Sequence, residues 1–132
     1  MMVKSDEYWK EKLTPKQYAV LREKATEPPF YNEYFENKED GMYHCAACGA
    51  ALFSSDTKFE SGSGWPSFYK AVNNGAIELK EDLSHGMVRT EAVCSNCGGH
   101  LGHVFDVWPK ADEEKKYYCI NSCALDFKKI KE

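Results

Sequence analysis

The sequence predicts a single, mainly antiparallel β domain with short helices at its N-terminus. Its 132 residues fit one domain, because domains mostly contain about 100–200 residues. Helix signals in the first third end at a Pro-Pro pair, and from residue 30 aromatic and β-branched residues mix with Gly, Asn and Ser turns at short intervals. We assign residues 1–29 to a helical cover, 30–127 to a β core and 128–132 to a tail.

The helix signals are strongest at residues 14–17. Thr14 can accept a hydrogen bond from a free backbone N–H, Pro15 occupies a position that needs no N–H, and Gln17 completes a capping box. A shorter helix is expected before it, over residues 6–12. Pro28 and Pro29 end the helical region, since proline cannot continue a helix.

The strand signals lie further along the chain. Residues 88–93 partly alternate between polar and apolar, and residues 117–121 have the composition of a strand. The Asn-Asn-Gly segment at 73–75 predicts a hairpin turn, and the charged segment 112–116 predicts an exposed loop.

Composition and charge argue against several classes of protein. With 42% hydrophobic residues the chain can form a core, and 17 basic against 21 acidic residues give a net charge of −4. Nucleic-acid binders usually carry a basic surplus, so no nucleic-acid partner is expected. No apolar run approaches the roughly 18 residues that span a bilayer, and no signal-type segment is visible, so we expect no membrane association and a cytoplasmic location.

Two copies of the pattern Cys-x-x-Cys-Gly stand at residues 45–49 and 94–98. Such a turn directs both sulfurs at one ion, and two turns supply the four thiolates of a closed, structural site. We expect one structural Zn²⁺ per chain; iron in the same cage and a pair of redox motifs are the alternatives. The predicted ligands are Cys45, Cys48, Cys94 and Cys97.

Cys119 and Cys123 remain outside this pattern. Most free cysteines are small buried hydrophobes, but Cys119 lies in a predicted strand that runs into a turn, and the chain offers histidines that could stabilise its thiolate. Spacing alone does not bring them together. In a third unusual stretch, residues 61–68, Trp65 follows a glycine-rich turn. The simpler interpretation is that this tryptophan is buried in the core.

Taken together, these residues resemble the B-type methionine-R-sulfoxide reductases from about residue 13 to residue 127. The matching blocks are residues 61–68, 82–87, 100–105 and 118–122, in addition to the two cysteine turns. The resemblance implies two antiparallel sheets with N-terminal helices and structural zinc. We also expect the protein to be a monomer. It also implies reduction of the R epimer of methionine sulfoxide, free or in proteins, which repairs oxidised proteins.

The resemblance also implies roles for individual residues. Cys119 would be the nucleophile and become a sulfenic acid, and His103 would protonate the departing oxygen. His100 and Asn121 would position that oxygen and a water. Thioredoxin or another thiol would then reduce the enzyme. Substrate contacts are expected from Trp65, which would pack against the ε-methyl group, and from His85 and Phe105.

Two positions depart from the family pattern. Ser63 stands where many members carry the cysteine that resolves the sulfenic acid, which leaves Cys123 as a possible substitute. In an extended strand Cys119 and Cys123 would lie about 13 Å apart, so the chain would have to turn between them. Tyr117 replaces a common arginine, which puts the acidity of Cys119 in doubt.

Two other classes of protein compete with the reductase. One is a zinc-ribbon-like module that binds a protein or nucleic acid through the two Cys-x-x-Cys-Gly turns, which we call the knuckles. The negative net charge argues against this class. The other is a reductase fold that serves as a zinc-dependent chaperone or redox sensor with Cys119 as an oxidation switch. Turnover distinguishes an enzyme from both.

Overall fold

The computed structural model describes residues 4–30, 32–59, 62–73, 75–83, 86, 88–106 and 116–129. Within these ranges two helices precede nine strands, which form two antiparallel sheets. This arrangement confirms the predicted fold class. Among the described residues, neither helix has the length and apolar character that a membrane crossing requires.

The two helices follow the sequence signals closely. Helix α1 spans Asp6–Lys12 and helix α2 spans Pro15–Glu23. Thr14 and Gln17 form the predicted capping box, with Thr14 Oγ1 accepting from Gln17 N at 3.2 Å and Gln17 Oε1 accepting from Thr14 N at 2.9 Å. Trp9 of α1 and Leu21 of α2 are buried, so both helices contribute side chains to the core.

The smaller sheet has three strands in the order β2-β1-β9. They are β1 (Gly41–Cys45), β2 (Ala51–Ser54) and β9 (Leu125–Lys129). Strand β9 extends two residues past position 127, where the sequence places the end of the β core. Strands β1 and β9, the first and last strands among the described residues, lie side by side.

The larger sheet has six strands in the order β3-β4-β8-β7-β6-β5. They are β3 (Lys58–Phe59), β4 (Ser67–Phe68), β5 (Ile77–Asp82), β6 (Arg89–Cys94), β7 (His100–Asp106) and β8 (Lys116–Ile120). Strands β6 and β8 confirm the strands predicted around residues 88–93 and 117–121, each with a shift of one residue.

The hairpin predicted at residues 73–75 is wrong. Strand β4, before this segment, pairs with β3 and β8, whereas β5, after it, pairs with β6 at the far edge of the sheet. Gly75 N donates to Asn73 Oδ1 at 2.9 Å, so the segment contains a local turn but joins strands that are not neighbours. The predicted loop at 112–116 lies mostly outside the described residues.

The core is formed where the two sheets face each other. Phe53 of the smaller sheet stacks on Phe68 of the larger one, with ring centroids 4.5 Å apart and planes 17° apart. Tyr118 of β8 also contacts Phe53. Because strand side chains alternate, Ser67 and Cys119, the chain neighbours of Phe68 and Tyr118, belong to the opposite face. We call this opposite face the site face.

Candidate active site

Cys119 lies in the middle of the site face, and its side chain is only 6% exposed. Strand pairing places it directly opposite Ser67 of β4 and His103 of β7. Its thiol donates to Ser63 Oγ at 3.4 Å, and its Sγ lies 3.5 Å from Ser67 Oγ. The thiol of Cys119 therefore has two hydroxyl groups within hydrogen-bond distance and a histidine at the facing position of the next strand.

His103 is held by a carboxylate on its other side. Its Nε2 lies 2.8 Å from Asp82 Oδ2, and the Asp82 carboxylate also pairs with Arg89 at 3.5 Å. A carboxylate can only accept hydrogen bonds, so Nε2 carries a proton in this contact. The structure thus places the predicted acid across the strand from the predicted nucleophile.

His100 reaches the same cluster through a β-bulge. It stands three positions before His103, so a regular strand would point the two rings to opposite faces. The register of β7 shifts by one residue against β6 between Ala92 and Val93. This bulge restores the common face, and the two imidazole centroids lie 5.3 Å apart.

A second carboxylate determines which ring nitrogen of His100 carries the proton. Its Nδ1 lies 2.6 Å from Glu91 Oε2, and Glu91 Oε1 pairs with Lys24 Nζ at 3.3 Å. Burial lowers the pKa of His100 below its ordinary value, against the opposing effect of Glu91, so the ring is neutral near pH 7. With the proton on Nδ1, the buried Nε2 is a hydrogen-bond acceptor that has no partner among the described residues.

Asn121 and Trp65 are joined through the backbone of Glu27. Asn121 Oδ1 accepts from Glu27 N at 2.9 Å and its Nδ2 donates to Leu101 O at 3.0 Å. The indole Nε1 of Trp65 donates to Glu27 O at 2.9 Å. The backbone of one buried residue after α2 therefore holds both Asn121 and Trp65 in place.

The turn before Trp65 depends on glycine. Gly64 has a φ of +93°, and a Cβ at this position would lie 2.9 Å from Phe30 N and 2.6 Å from Pro29 Cβ. The close approach allows Phe30 N to donate to Gly64 O at 2.7 Å. Trp65, the next residue, is half-buried rather than in the core, as its predicted role at the substrate requires.

Cys123 follows the site on a short 3₁₀ turn, Ser122–Ala124. The chain does turn after Cys119, but the Cys123 thiol faces Lys16 O at 3.9 Å, and its backbone N–H donates to Glu27 Oε1 at 2.9 Å. Burial, together with the Glu27 charge, raises the pKa of Cys123 to about 12. Its thiol is therefore protonated at neutral pH.

Of the remaining predicted residues, Phe105 lies on the site face and is 40% exposed. Tyr117 pairs with it across the strands, and burial and the charge of Cys119 raise the pKa of this phenol, so it stays neutral. His85 lies outside the described residues.

The four cysteines of the two knuckles form one cluster that fits a metal ion. All four sulfurs lie within 4.8 Å of one another, with Cys45–Cys97 and Cys48–Cys94 contacts of 3.7 and 3.6 Å. A tetrahedron with Zn–S bonds of about 2.3 Å has edges of about 3.8 Å, which these spacings match.

The two knuckles are copies of one turn. In each, the glycine N–H donates to the first cysteine's carbonyl at 2.8 Å, and Gly49 and Gly98 have φ values of +82° and +76°. The first knuckle begins at the last residue of β1, in the smaller sheet, and the second begins at the last residue of β6, in the larger sheet. A metal ion bound here connects the two sheets.

Sequence reasoning missed three carboxylates of the site: Asp82, Glu91 and Glu27. All three are buried, at 6%, 2% and 4% exposure. Glu91 lies in a predicted strand, and a buried acid needs a partner, but the sequence does not show which face of the strand is buried. Nothing in the sequence except the position of Glu27 before the two prolines indicates that this residue belongs to the site.

A buried cysteine opposite a carboxylate-bound histidine, on a fold joined by four further cysteines, is the arrangement of a cysteine-dependent enzyme. Residues 13–129 match the SelR domain family. The chain is 58% identical to the peptide methionine sulfoxide reductase MsrB of Leptospira interrogans (serovar Lai, strain 56601), over 96% of this chain and 95% of the relative. It is also 58% identical to the MsrB of Methanosarcina barkeri (strain Fusaro), over 95% and 87%.

The chain belongs to the MsrB family of peptide methionine sulfoxide reductases. Among solved structures it resembles the Mis18 "Yippee-like" domain, with a TM-score of 0.56 and 17% identity, over 71% of this chain and all of that one. At this level of identity the likeness concerns the fold alone.

Proposed function

We propose that this protein reduces the R epimer of methionine sulfoxide, free or within proteins, with Cys119 as its nucleophile. The observation that carries this proposal is the cross-strand pair of Cys119 and His103, in which the histidine is backed by Asp82. This pair combines a nucleophile and a proton donor at adjacent positions, which is the combination that sulfoxide reduction needs.

In the first step the Cys119 thiolate attacks the sulfur of the sulfoxide. His103 takes the proton of the Cys119 thiol as the thiolate forms and then donates it to the oxygen of the sulfoxide, so no proton is gained or lost overall. The attack joins Cys119 Sγ to the substrate sulfur. This S–S bond and the S–O bond of the substrate both break as the protonated oxygen becomes bonded to Cys119 Sγ. The products are methionine and a sulfenic acid on Cys119.

The surrounding residues select and orient the substrate. The unpartnered Nε2 of His100 can accept from a water or hydroxyl near the reacting oxygen, and Asn121 holds this region of β7 through Leu101 O. The half-buried indole of Trp65, fixed by its bond to Glu27 O, offers an apolar wall to the ε-methyl group. An apolar wall on one side and polar groups on the other distinguish the two mirror-related sulfoxides.

The sulfenic acid is then reduced by an external thiol such as thioredoxin. Two thiols give one disulfide and one water, and Cys119 returns to the thiol state. Cys123 is a poor internal substitute, because its thiol faces α2 and its pKa of about 12 keeps it protonated. Ser63, which lies at the Cys119 sulfur, has no thiol to form a disulfide.

The metal is structural in this proposal. Zn²⁺ would be held by Cys45, Cys48, Cys94 and Cys97, and when bound it would join the two sheets without an open position for substrate. Elemental analysis of the purified protein distinguishes zinc from iron. The monomeric state and cytoplasmic location stay predictions.

Turnover of racemic N-acetyl-methionine sulfoxide with excess dithiothreitol tests the proposal. Chiral separation should show loss of the R epimer alone, and Cys119→Ser should abolish it. Cys123→Ser is the matched control and should retain turnover, because dithiothreitol replaces any internal thiol. Absence of turnover by folded, metal-loaded protein would contradict the proposal and favour a binding or sensing role.

A further inference from the structure

Four aromatic side chains form a continuous row across the larger sheet. The ring centroids of Phe105 and Tyr117 lie 5.8 Å apart, those of Tyr117 and Phe59 5.6 Å, and those of Phe59 and Tyr69 3.9 Å. We call these four residues the aromatic row. The catalytic step proposed above uses none of its rings.

Strand register places the whole row on the site face. Tyr117 stands two positions before Cys119, and Phe105 two positions after His103, so each shares the face of its neighbour. Phe59 pairs with Ser67, which contacts Cys119, and Tyr69 follows Ser67 by two positions. Tyr69, Tyr117 and Phe105 therefore lie on a line parallel to Ser67–Cys119–His103, displaced by about 7 Å along the strands. Phe59 stands beside Ser67, and its ring packs against the rings of Tyr69 and Tyr117.

The row is partly open and its two outermost rings are the most exposed. Tyr69 is 52% exposed and Phe105 is 40% exposed, while Phe59 and Tyr117 are half-buried. Phe59 and Tyr69 stack with only 11° between their planes, and Tyr69 N donates to Thr57 O at 3.0 Å. The backbone thus holds a flat apolar surface next to the reacting sulfur before any ligand binds.

We propose that the aromatic row binds an aromatic or large apolar side chain of the protein substrate, two residues away from the methionine sulfoxide. This inference rests on the proposed function. In an extended peptide, side chains two positions apart point the same way and are about 7 Å apart, which matches the displacement of the row from Cys119. The row is continuous with the proposed substrate site through Phe105, so a segment bound at Cys119 passes over it.

Because of the distance between the aromatic row and Cys119, the row contributes nothing to the binding of the smallest substrates. N-acetyl-methionine sulfoxide has no side chain two positions away and cannot reach the row while its sulfur lies at Cys119. The row therefore selects among protein segments by their sequence rather than by the oxidised residue itself.

The test uses capped peptides with one R-configured methionine sulfoxide and either Phe or Gly two positions before or two positions after it. We expect kcat/KM to be about five- to tenfold higher for Phe than for Gly in at least one of the two positions, as aromatic contacts supply. In Tyr69→Ala this ratio should fall to about twofold or less, whereas Tyr69→Phe, which keeps the ring, should preserve it. Leu79→Ala removes a similarly exposed apolar side chain from the opposite face and should leave the ratio unchanged.

Two results would overturn the inference. One is equal kcat/KM for the Phe and Gly peptides in both positions. The other is a Phe preference that persists in Tyr69→Ala, which would place the recognition elsewhere. If neither the peptides nor N-acetyl-methionine sulfoxide are reduced, the proposed function fails instead, so the two failures are distinguishable.

Discussion

At the scale of single residues, two buried carboxylates determine what the histidines of the site can do. Asp82 holds the proton on Nε2 of His103, and Glu91 holds the proton on Nδ1 of His100. Each bond fixes one tautomer of the neutral ring and leaves the other nitrogen for a different partner. The two rings are chemically distinct because their acids engage different nitrogens.

We predict that Asp82→Asn lowers kcat about a hundredfold, the effect of weakening one acid–base group. An amide has nearly the same shape as the carboxylate but cannot stabilise the positive charge that His103 carries as a proton donor. KM should change much less, because Asp82 does not reach the substrate. The measurement is steady-state turnover of the R epimer with dithiothreitol.

Asp126→Asn is the matched control for this substitution, since Asp126 is an exposed acid of β9 in the other sheet. Equal kcat for wild type and Asp82→Asn would show that the Asp82–His103 contact has no part in the reaction.

Cys123 provides a second prediction at this scale. Its pKa is raised to about 12, so the thiol stays protonated until the pH approaches that value, and labelling should accelerate as the pH rises. At pH 8 its thiolate fraction is about three orders of magnitude below that of an ordinary cysteine. Iodoacetamide labelling in Cys119→Ser, followed by peptide mass spectrometry, should show correspondingly slow reaction. Labelling as fast as that of glutathione would restore Cys123 as a candidate resolving residue.

The sequence predicts the reacting groups better than the groups that hold them. Cys119 and the two histidines stand in short motifs, so pattern and resemblance identify them. Glu91 stands in ordinary strand sequence, and Asp82, although it begins the matching block 82–87, has no neighbour in sequence that indicates burial; the side chains of both could equally face solvent. Only the register of β5, β6 and β7, which depends on contacts across the sheet, shows that both acids are buried beside imidazoles.

At the scale of elements, the close approach of β7 and β8 carries the site. Gly102 lies between the two histidines, and a Cβ there would be 2.0 Å from Cys119 O. The absence of a side chain lets the strand that carries His103 pair tightly with the strand that carries Cys119.

Gly102→Ala should therefore destabilise the protein by about 3 kcal/mol or more, because backbone rather than a flexible side chain must move. Urea unfolding measures this change. Gly75→Ala is the control: its nearest neighbour would be 3.6 Å away, so its stability should stay close to that of wild type. Equal stability of the two variants would contradict the strand packing described here.

Local signals predict elements well where the chain supplies its own hydrogen bonds. The capping box of α2 and the two knuckle turns involve residues three or four apart, and the sequence predicts all three. The bulge that brings His100 beside His103 depends instead on pairing with β6, and the Asn-Asn-Gly segment joins strands whose partners lie elsewhere in the sheet. Neither the bulge nor the pairing of the strands on either side of the Asn-Asn-Gly segment can be predicted from local sequence.

At the scale of the whole molecule, the four-cysteine cluster is the place where a bound metal ion would link the two sheets. The first knuckle lies between β1 and β2, and the second lies between β6 and β7. In the second knuckle, Cys94 stands three residues after Glu91, and Cys97 stands three residues before His100. The metal should therefore stabilise the fold and hold the site in the same step.

We predict that Cys94→Ser loses the metal and partly unfolds, because the binding free energy of a structural zinc is about as large as the total stability of a domain. Near-ultraviolet circular dichroism, elemental analysis and turnover measure the three consequences. Cys123→Ser should keep the metal, the fold and the turnover. A folded, active Cys94→Ser protein without metal would contradict a structural role for the cluster.

We propose that Cys119 takes the oxygen from the substrate and keeps it until an external thiol arrives. Mass spectrometry after one turnover of the R epimer without reductant tests this step. We expect one methionine released per chain and one oxygen atom added to the peptide that contains Cys119. Release of methionine with loss of two hydrogens, as a Cys119–Cys123 disulfide, would contradict the recycling step, and methionine release with an unmodified Cys119 would contradict the claim itself.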